Sequence, residues 1–133
     1  MKKSVPAIVL LILFSIASVA IAADRAQLIS PEKAKAMVEK NRGSGNFVIL
    51  DVRTPEEYGK GHLKGAMLIN FYDKDFKAQV SRLDKNKTYL VYCRSGSRSA
   101  SATDIMKGLG FKRVYTMNGG ITLWQRKGYP VVK

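Results

Sequence analysis

Two continuous apolar runs, "FVILDV" at 47–52 and "TYLVY" at 88–92, constrain this chain more than any other feature. Neither alternates apolar with polar residues, as a strand with one wet face would, and both are too short for a buried helix. They predict strands covered on both faces, and strands of that kind belong to parallel sheets, whose crossovers lay helices over each face. A chain with such runs has few alternatives to an α/β layer fold.

The intervening segments agree. "AQLIS" is a short apolar stretch, after which Ser30 as N-cap, Pro31 at the first helical position and Glu32 in the first turn mark a helix start. Ala34, Met37 and Val38 recur at helical spacing until the polar break "NRGSGN". After "FVILDV", Thr54 and Glu57 stand at capping-box spacing around Pro55, so a short helix is expected, ended by Gly59 and Gly61. "AMLIN" is a second strand candidate. Phe76, Val80 and Leu83 fall on one face of a helix predicted over 73–83. "TYLVY" is followed by a helix starting near Ser99 and carrying Ala102, Ile105, Met106 and Leu109 on one side. "RVYTM" gives a further strand, Asn118-Gly119-Gly120 a turn, and 121–127 a last short helix. No repeat, low-complexity stretch or interdomain linker interrupts this order, so one domain with a central, mainly parallel sheet flanked by helices is expected.

In such folds reactive groups gather where strands run into helices at their carboxyl ends. The single cysteine of the chain, Cys93, stands at such a junction. With no second cysteine it cannot form an internal disulfide, which leaves a buried small hydrophobe, a bridge between two copies, or a nucleophile. The residues after it favour the nucleophile. In "CRSGSR" the small residues Ser95, Gly96 and Ser97 let the backbone curl with its amides inward, an anion nest, and the next helix adds its positive end. Arg94 and Arg98 add full charges. Each of these stabilises a thiolate, so the Cys93 pKa is expected to move down. A fall of about one unit from roughly 8.5 would raise the thiolate fraction at pH 7 from about 3% to about 24%.

The amino terminus has a different character. Lys2 and Lys3 precede the apolar run "VPAIVLLILFSIASVA", and Ala20-Ile21-Ala22 fits a small-x-small cleavage pattern, so 1–22 is expected to be a signal peptide and 23–133 the domain. An uncleaved anchor is the alternative, since the run is close to the shortest that spans a bilayer. No twin arginine precedes it, which points to the general secretory route and a periplasmic, soluble product with no stable membrane association. Of 23 basic and 10 acidic residues, cleavage would leave 21 and 10, a formal charge of +11. The cations are scattered without a run, so nucleic acid is not expected as a partner, and attraction of small anionic substrates is.

Three blocks carry a family likeness. "CRSGSR", "DVRTPEEYGKGHLKGAMLI" at 51–69 and "MNGGITLWQRKGYPV" at 117–131 together resemble the rhodanese family of sulfurtransferases, in that family's order and over nearly all of the chain after the leader. The resemblance implies a single rhodanese domain and a thiosulfate sulfurtransferase that moves sulfur through a Cys93 persulfide to cyanide or a thiol, with no metal or organic cofactor. It implies donor binding by Arg94, loop shape and charge from Arg98, and an anion cradle from the amides of Arg94, Ser95, Gly96, Ser97, Arg98 and Ser99. Phosphatases sharing that fold look like Cys-x5-Arg, whereas four residues separate Cys93 from Arg98. Arg94, directly after the cysteine, resembles the charged position of thiosulfate-using members. A phosphatase or arsenate-type enzyme and a non-enzymatic persulfide-binding module of the cell envelope remain as alternatives.

Three supporting residues complete the expectations. His62, the only histidine, invites a Cys-His dyad but lies inside "GHLKGA", where the resemblance gives it a structural role. Asp51 and Arg53 are expected to position the loop through ion pairs, with Glu57 or Arg98 as partners. Trp124 reads as a core or rim aromatic, and Lys64 as a candidate for anion attraction.

Overall fold

The computed structural model describes residues 2–4 and 25–133. All but 2–4 of the expected leader, and its boundary with the domain, lie outside the described residues. Five strands, β1 (Gln27–Ile29), β2 (Phe47–Asp51), β3 (Met67–Leu68), β4 (Thr88–Tyr92) and β5 (Arg113–Met117), form one sheet in the order β1-β5-β4-β2-β3. Every pairing is parallel. The two long apolar runs are the adjacent central strands β4 and β2, paired Phe47 with Thr88 through Asp51 with Tyr92.

Alternation along β4 sends successive side chains to opposite faces. Tyr89, Val91 and Cys93 join the cluster with Leu50, Val52, Val80, Ala102 and Met106. Leu90 and Tyr92 join the other, with Ala34, Leu63, Ile121 and Trp124. Helices α3 (Phe76–Ser81) and α4 (Ser97–Gly108) therefore cover one face, while α1 (Pro31–Lys40) and α5 (Gly120–Arg126) cover the other. The alternation alone puts the Cys93 sulfur on the α4 side.

Helix starts follow the expected chemistry. Ser30 Oγ accepts from the Lys33 amide at 3.2 Å, with Pro31 at N1 of α1. In α2 (Pro55–Lys60) the capping box closes in both directions between Thr54 and Glu57. Three boundaries differ from expectation. Gly59 lies within α2, and Gly61 caps it. The helix expected over 73–83 is shorter, because Asp73 and Phe76 take part in tight turns (Asp73 N to Asn70 O, 3.1 Å; Phe76 N to Asp73 O, 3.0 Å) before α3 begins. Helix α4 starts two residues before Ser99, on Gly96 at φ +114°, a conformation that glycine adopts without a Cβ clash.

The tail closes the domain. His62 and Val132 exchange amide-to-carbonyl bonds of 2.8 Å in an antiparallel bridge, and Trp124 Nε1 donates to Pro130 O at 2.9 Å. Trp124 is thus a core aromatic with its one donor satisfied. Among the described residues no helix is long and apolar enough to cross a membrane.

Candidate functional site

Cys93 follows the last residue of β4 and is 1% exposed. Its sulfur accepts the Gly96 amide at 3.1 Å and lies 3.5 Å from Ser99 Oγ. Burial pushes the thiol pKa up. The Ser99 hydroxyl and the amides of Ser99, Gly96 and Ser95 oppose it, and the net shift is downward. The direction agrees with the sequence expectation, and the main stabilising groups are neutral dipoles of the loop.

The loop is held from outside by α5. Ile121 N donates to Cys93 O at 2.9 Å and Thr122 N to Arg94 O at 3.1 Å. In a trans peptide the C=O and the following N–H point opposite ways. Pinning these two carbonyls against α5 therefore turns the Arg94 and Ser95 amides away from α5, and the Ser95 amide acts on the sulfur. Sequence reasoning read Asn118-Gly119-Gly120 only as a turn. The pair of adjacent glycines is the one signal there that a backbone passes at close range.

Arg98 is fixed by α2. Its Nη1 and Nη2 donate to the two Glu57 carboxylate oxygens at 2.7 and 2.9 Å, and its guanidinium lies over the Tyr72 ring, 5.4 Å from the centroid. Both terminal nitrogens thereby engage the Glu57 carboxylate, which ties α4 to α2. Arg98 holds the Glu57 carboxyl at about 2, well below its ordinary range.

Asp51 and Arg53 do form an ion pair, but with each other. Both are buried; Arg53 Nη2 donates to Asp51 Oδ2 at 2.7 Å and to Gly61 O at 2.7 Å, and Nη1 donates to Glu57 O at 3.3 Å. Arg53 thus grips the backbone of α2 and its C-cap, while Arg98 takes the Glu57 carboxylate. The pair also borders the strand that ends at Cys93: Asp51 pairs with Tyr92 across β2 and β4, and the Arg53 guanidinium lies over the Tyr92 ring, 5.6 Å from the centroid. His62, just past the cap of α2, is engaged by that helix, with Nδ1 2.9 Å from Tyr58 O and its ring stacked on Tyr58 at 3.7 Å.

Arg94 is exposed and makes no side-chain ion pair among the described residues. Together with Arg53, Glu57, Lys60, Ile121, Thr122 and Gln125 it lines a cavity of about 420 Å³ beside the loop. A larger cavity of about 480 Å³ lies elsewhere, between the end of α1 and β3. Lys64 lines that one, away from Arg94 and the loop. Among the described residues no group of three or more His, Cys, Asp or Glu side chains is gathered to hold a metal ion. What the site offers chemically is one sulfur in a ring of donors, with a cationic side chain free at its edge.

Comparison with known proteins gives a consistent result. The profile of the Rhodanese-like domain matches residues 30–127. Thiosulfate sulfurtransferase GlpE of Pseudomonas entomophila is 40% identical over 103 residues, covering 77% of this chain and 86% of that protein. A rhodanese-related protein from Thermoplasma volcanium superposes with a TM-score of 0.65 at 30% identity, over 82% of this chain and 98% of its own. A Rhodopseudomonas palustris protein described as a possible tyrosine phosphatase superposes with a TM-score of 0.64 at 25% identity, over 80% and 85% of the two chains.

Proposed function

The chain belongs to the Rhodanese-like domain family, and from that membership we propose that it is a thiosulfate sulfurtransferase working through a persulfide on Cys93. The Cys93 thiolate attacks the outer sulfur of thiosulfate. The sulfur–sulfur bond of the donor breaks, sulfite leaves with the electron pair, and the outer sulfur stays on Cys93 as an anionic persulfide. Cyanide then attacks that sulfur, giving thiocyanate and the free thiolate; a small or protein thiol takes it in the same way. The Gly96 amide, which donates to the sulfur, and the Ser99 hydroxyl, whose oxygen lies 3.5 Å from it, would stabilise the negative charge as oxyanion donors do. Arg94 is the residue proposed to bind the dianionic donor at the mouth, and no step draws on a metal or organic cofactor.

The observation that carries this reading is the Cys93 sulfur receiving loop dipoles that lower its pKa despite burial. The match to a relative named thiosulfate sulfurtransferase supports the choice of donor. Cys93→Ser tests it: thiocyanate formation from thiosulfate and cyanide is lost while the melting temperature is kept, and intact mass of the wild-type protein rises by one sulfur after thiosulfate treatment. Undiminished turnover in the variant would overturn the assignment, and sulfur uptake without turnover would point to a persulfide-binding module.

The phosphatase reading takes its support from the structural relative described as a possible tyrosine phosphatase. Against it stand the four residues between Cys93 and Arg98 and the Glu57 carboxylate occupying both terminal nitrogens of Arg98. Cys93-dependent hydrolysis of an aryl phosphate would revive it. Export to the periplasm, with cleavage after residue 22, remains part of the proposal on the strength of the leader-like residues 1–22, and the mass of the mature amino terminus tests it.

A further inference from the structure

Behind the reacting sulfur lies a second buried hydroxyl. Thr116 sits on β5, is 6% exposed, and its Oγ1 is 3.0 Å from Ser99 Oγ. Ser99 is fully buried on the first turn of α4, with its Oγ 3.2 Å from Gly96 O and 3.5 Å from Cys93 Sγ. A serine hydroxyl carries one proton and two acceptor sites. Gly96 O accepts and cannot donate, so the Ser99 proton lies on it and Thr116 is the donor to Ser99. No buried side-chain oxygen or nitrogen among the described residues is left without a partner, so this chain of bonds is complete.

The direction of that first bond decides what Ser99 does when the sulfur ionises. A thiolate has no proton to give, so Ser99 can hydrogen-bond to it only by turning its own proton from Gly96 O to Sγ. Because Thr116 fills an acceptor site of Ser99, the Ser99 proton is excluded from the Thr116 side and is left the arc between Gly96 O and Sγ. A donated hydrogen bond also polarises the Ser99 O–H and makes it a stronger donor.

We propose that Thr116 is a positioning residue for the sulfur chemistry: its hydroxyl holds Ser99 as a donor aimed at Cys93 Sγ and so stabilises the thiolate and the persulfide anion. No proton passes to Thr116. The charged groups around Cys93 lie elsewhere. Arg98 on α4, paired with Glu57 of α2, interacts with it electrostatically; Arg94 follows it in the loop with an exposed side chain, β2 brings the mutually paired Asp51 and Arg53, and α5 meets the loop with backbone amides. Changing Thr116 leaves all of them in place.

The inference rests on Cys93 being the reacting sulfur, and its test reads ionisation without sulfur transfer. As the only cysteine, Cys93 gives the whole thiolate ultraviolet signal above a Cys93→Ser blank. Thr116→Val keeps the side-chain shape and removes the donor. The thiol midpoint is expected to rise by about half to one pH unit, a loss of about 3- to 10-fold in thiolate on the acid side. Thr116→Ser restores the wild-type curve, and Thr116→Val added to Ser99→Ala shifts it no further than Ser99→Ala alone, since Thr116 acts through Ser99. A Thr116→Val titration that coincides with wild type, or a shift that adds in full to that of Ser99→Ala, overturns the proposal. If the valine variant fails to fold, Thr116→Ala is read by the same titration and the same criteria.

Discussion

The Ile121 amide meets the Cys93 carbonyl oxygen at 2.9 Å, so the first turn of α5 is bonded directly to the strand end that carries the sulfur. That approach depends on Gly120. A Cβ built there would lie 2.4 Å from Cys93 O and 2.5 Å from Arg94 C and O, all backbone atoms with no freedom to swing aside, at φ +58°.

Gly120→Ala is therefore expected to cost at least about 2 kcal/mol, combining left-handed strain with a displaced loop. It should also reduce sulfur transfer more than a hundredfold, because the Arg94 and Ser95 amides lose their orientation. Gly65→Ala is the control: it shares a positive φ of 81° but has nothing within 4 Å, so about 1 kcal/mol and unchanged turnover are expected. Melting curves and thiocyanate formation check both. Equal effects of the two substitutions would show that close approach at Gly120 is unimportant.

Much of this was legible in the chain, for identifiable reasons. Strands β2 and β4 announce themselves because burial on both faces leaves near-continuous apolar runs, with polar residues only at their ends, Asp51 and Thr88, and α1 and α2 because Ser30 and Thr54 cap them through local bonds. Cys93 and the small residues after it are contiguous, so the loop that surrounds the sulfur is readable as a unit. Contacts made across the fold are not. Thr116 reads as an ordinary β-branched strand residue until β5 is laid beside α4, and Gly120 as a turn residue until α5 meets the loop. The partner choices of Asp51, Arg53, Glu57 and Arg98 were open for the same reason: charges of both signs lay within reach, and only the position of α2 sorts them into two pairs.

Glu57 links acid stability to the site. Its carboxyl is lowered from an ordinary 4.5 to about 2, first by the hydrogen bonds from Arg98. A carboxylate with a depressed folded-state pKa contributes stability above its unfolded value and loses it as pH falls through the folded one. The contribution, about 2 kcal/mol after allowance for the side chain's partial exposure, is thus present at pH 5 and above and declines between about pH 4.5 and 2. Glu57→Gln should be less stable by that amount at pH 7, with a shallower fall in melting temperature between pH 5 and 2. Parallel acid profiles for the two proteins would place the acid sensitivity elsewhere.

The role proposed for Arg94 separates binding from chemistry. Its side chain is exposed and unpaired at the mouth of the cavity that Lys60 also lines, while the groups on the sulfur belong to Gly96 and Ser99. On the donor-binding role proposed for it, removing its charge takes away a charge-assisted contact to a dianion, worth about 1–2 kcal/mol, and leaves the thiolate donors intact. Arg94→Gln is accordingly expected to raise KM for thiosulfate about 5- to 30-fold with kcat within about threefold of wild type. The wild-type KM should also rise with added salt more steeply than that of the variant, because screening acts on the interaction that the variant lacks. Steady-state kinetics at two ionic strengths read both effects. A fall in kcat at unchanged KM would instead place the Arg94 charge on the transferring sulfur, inside the ring of donors and not at its edge.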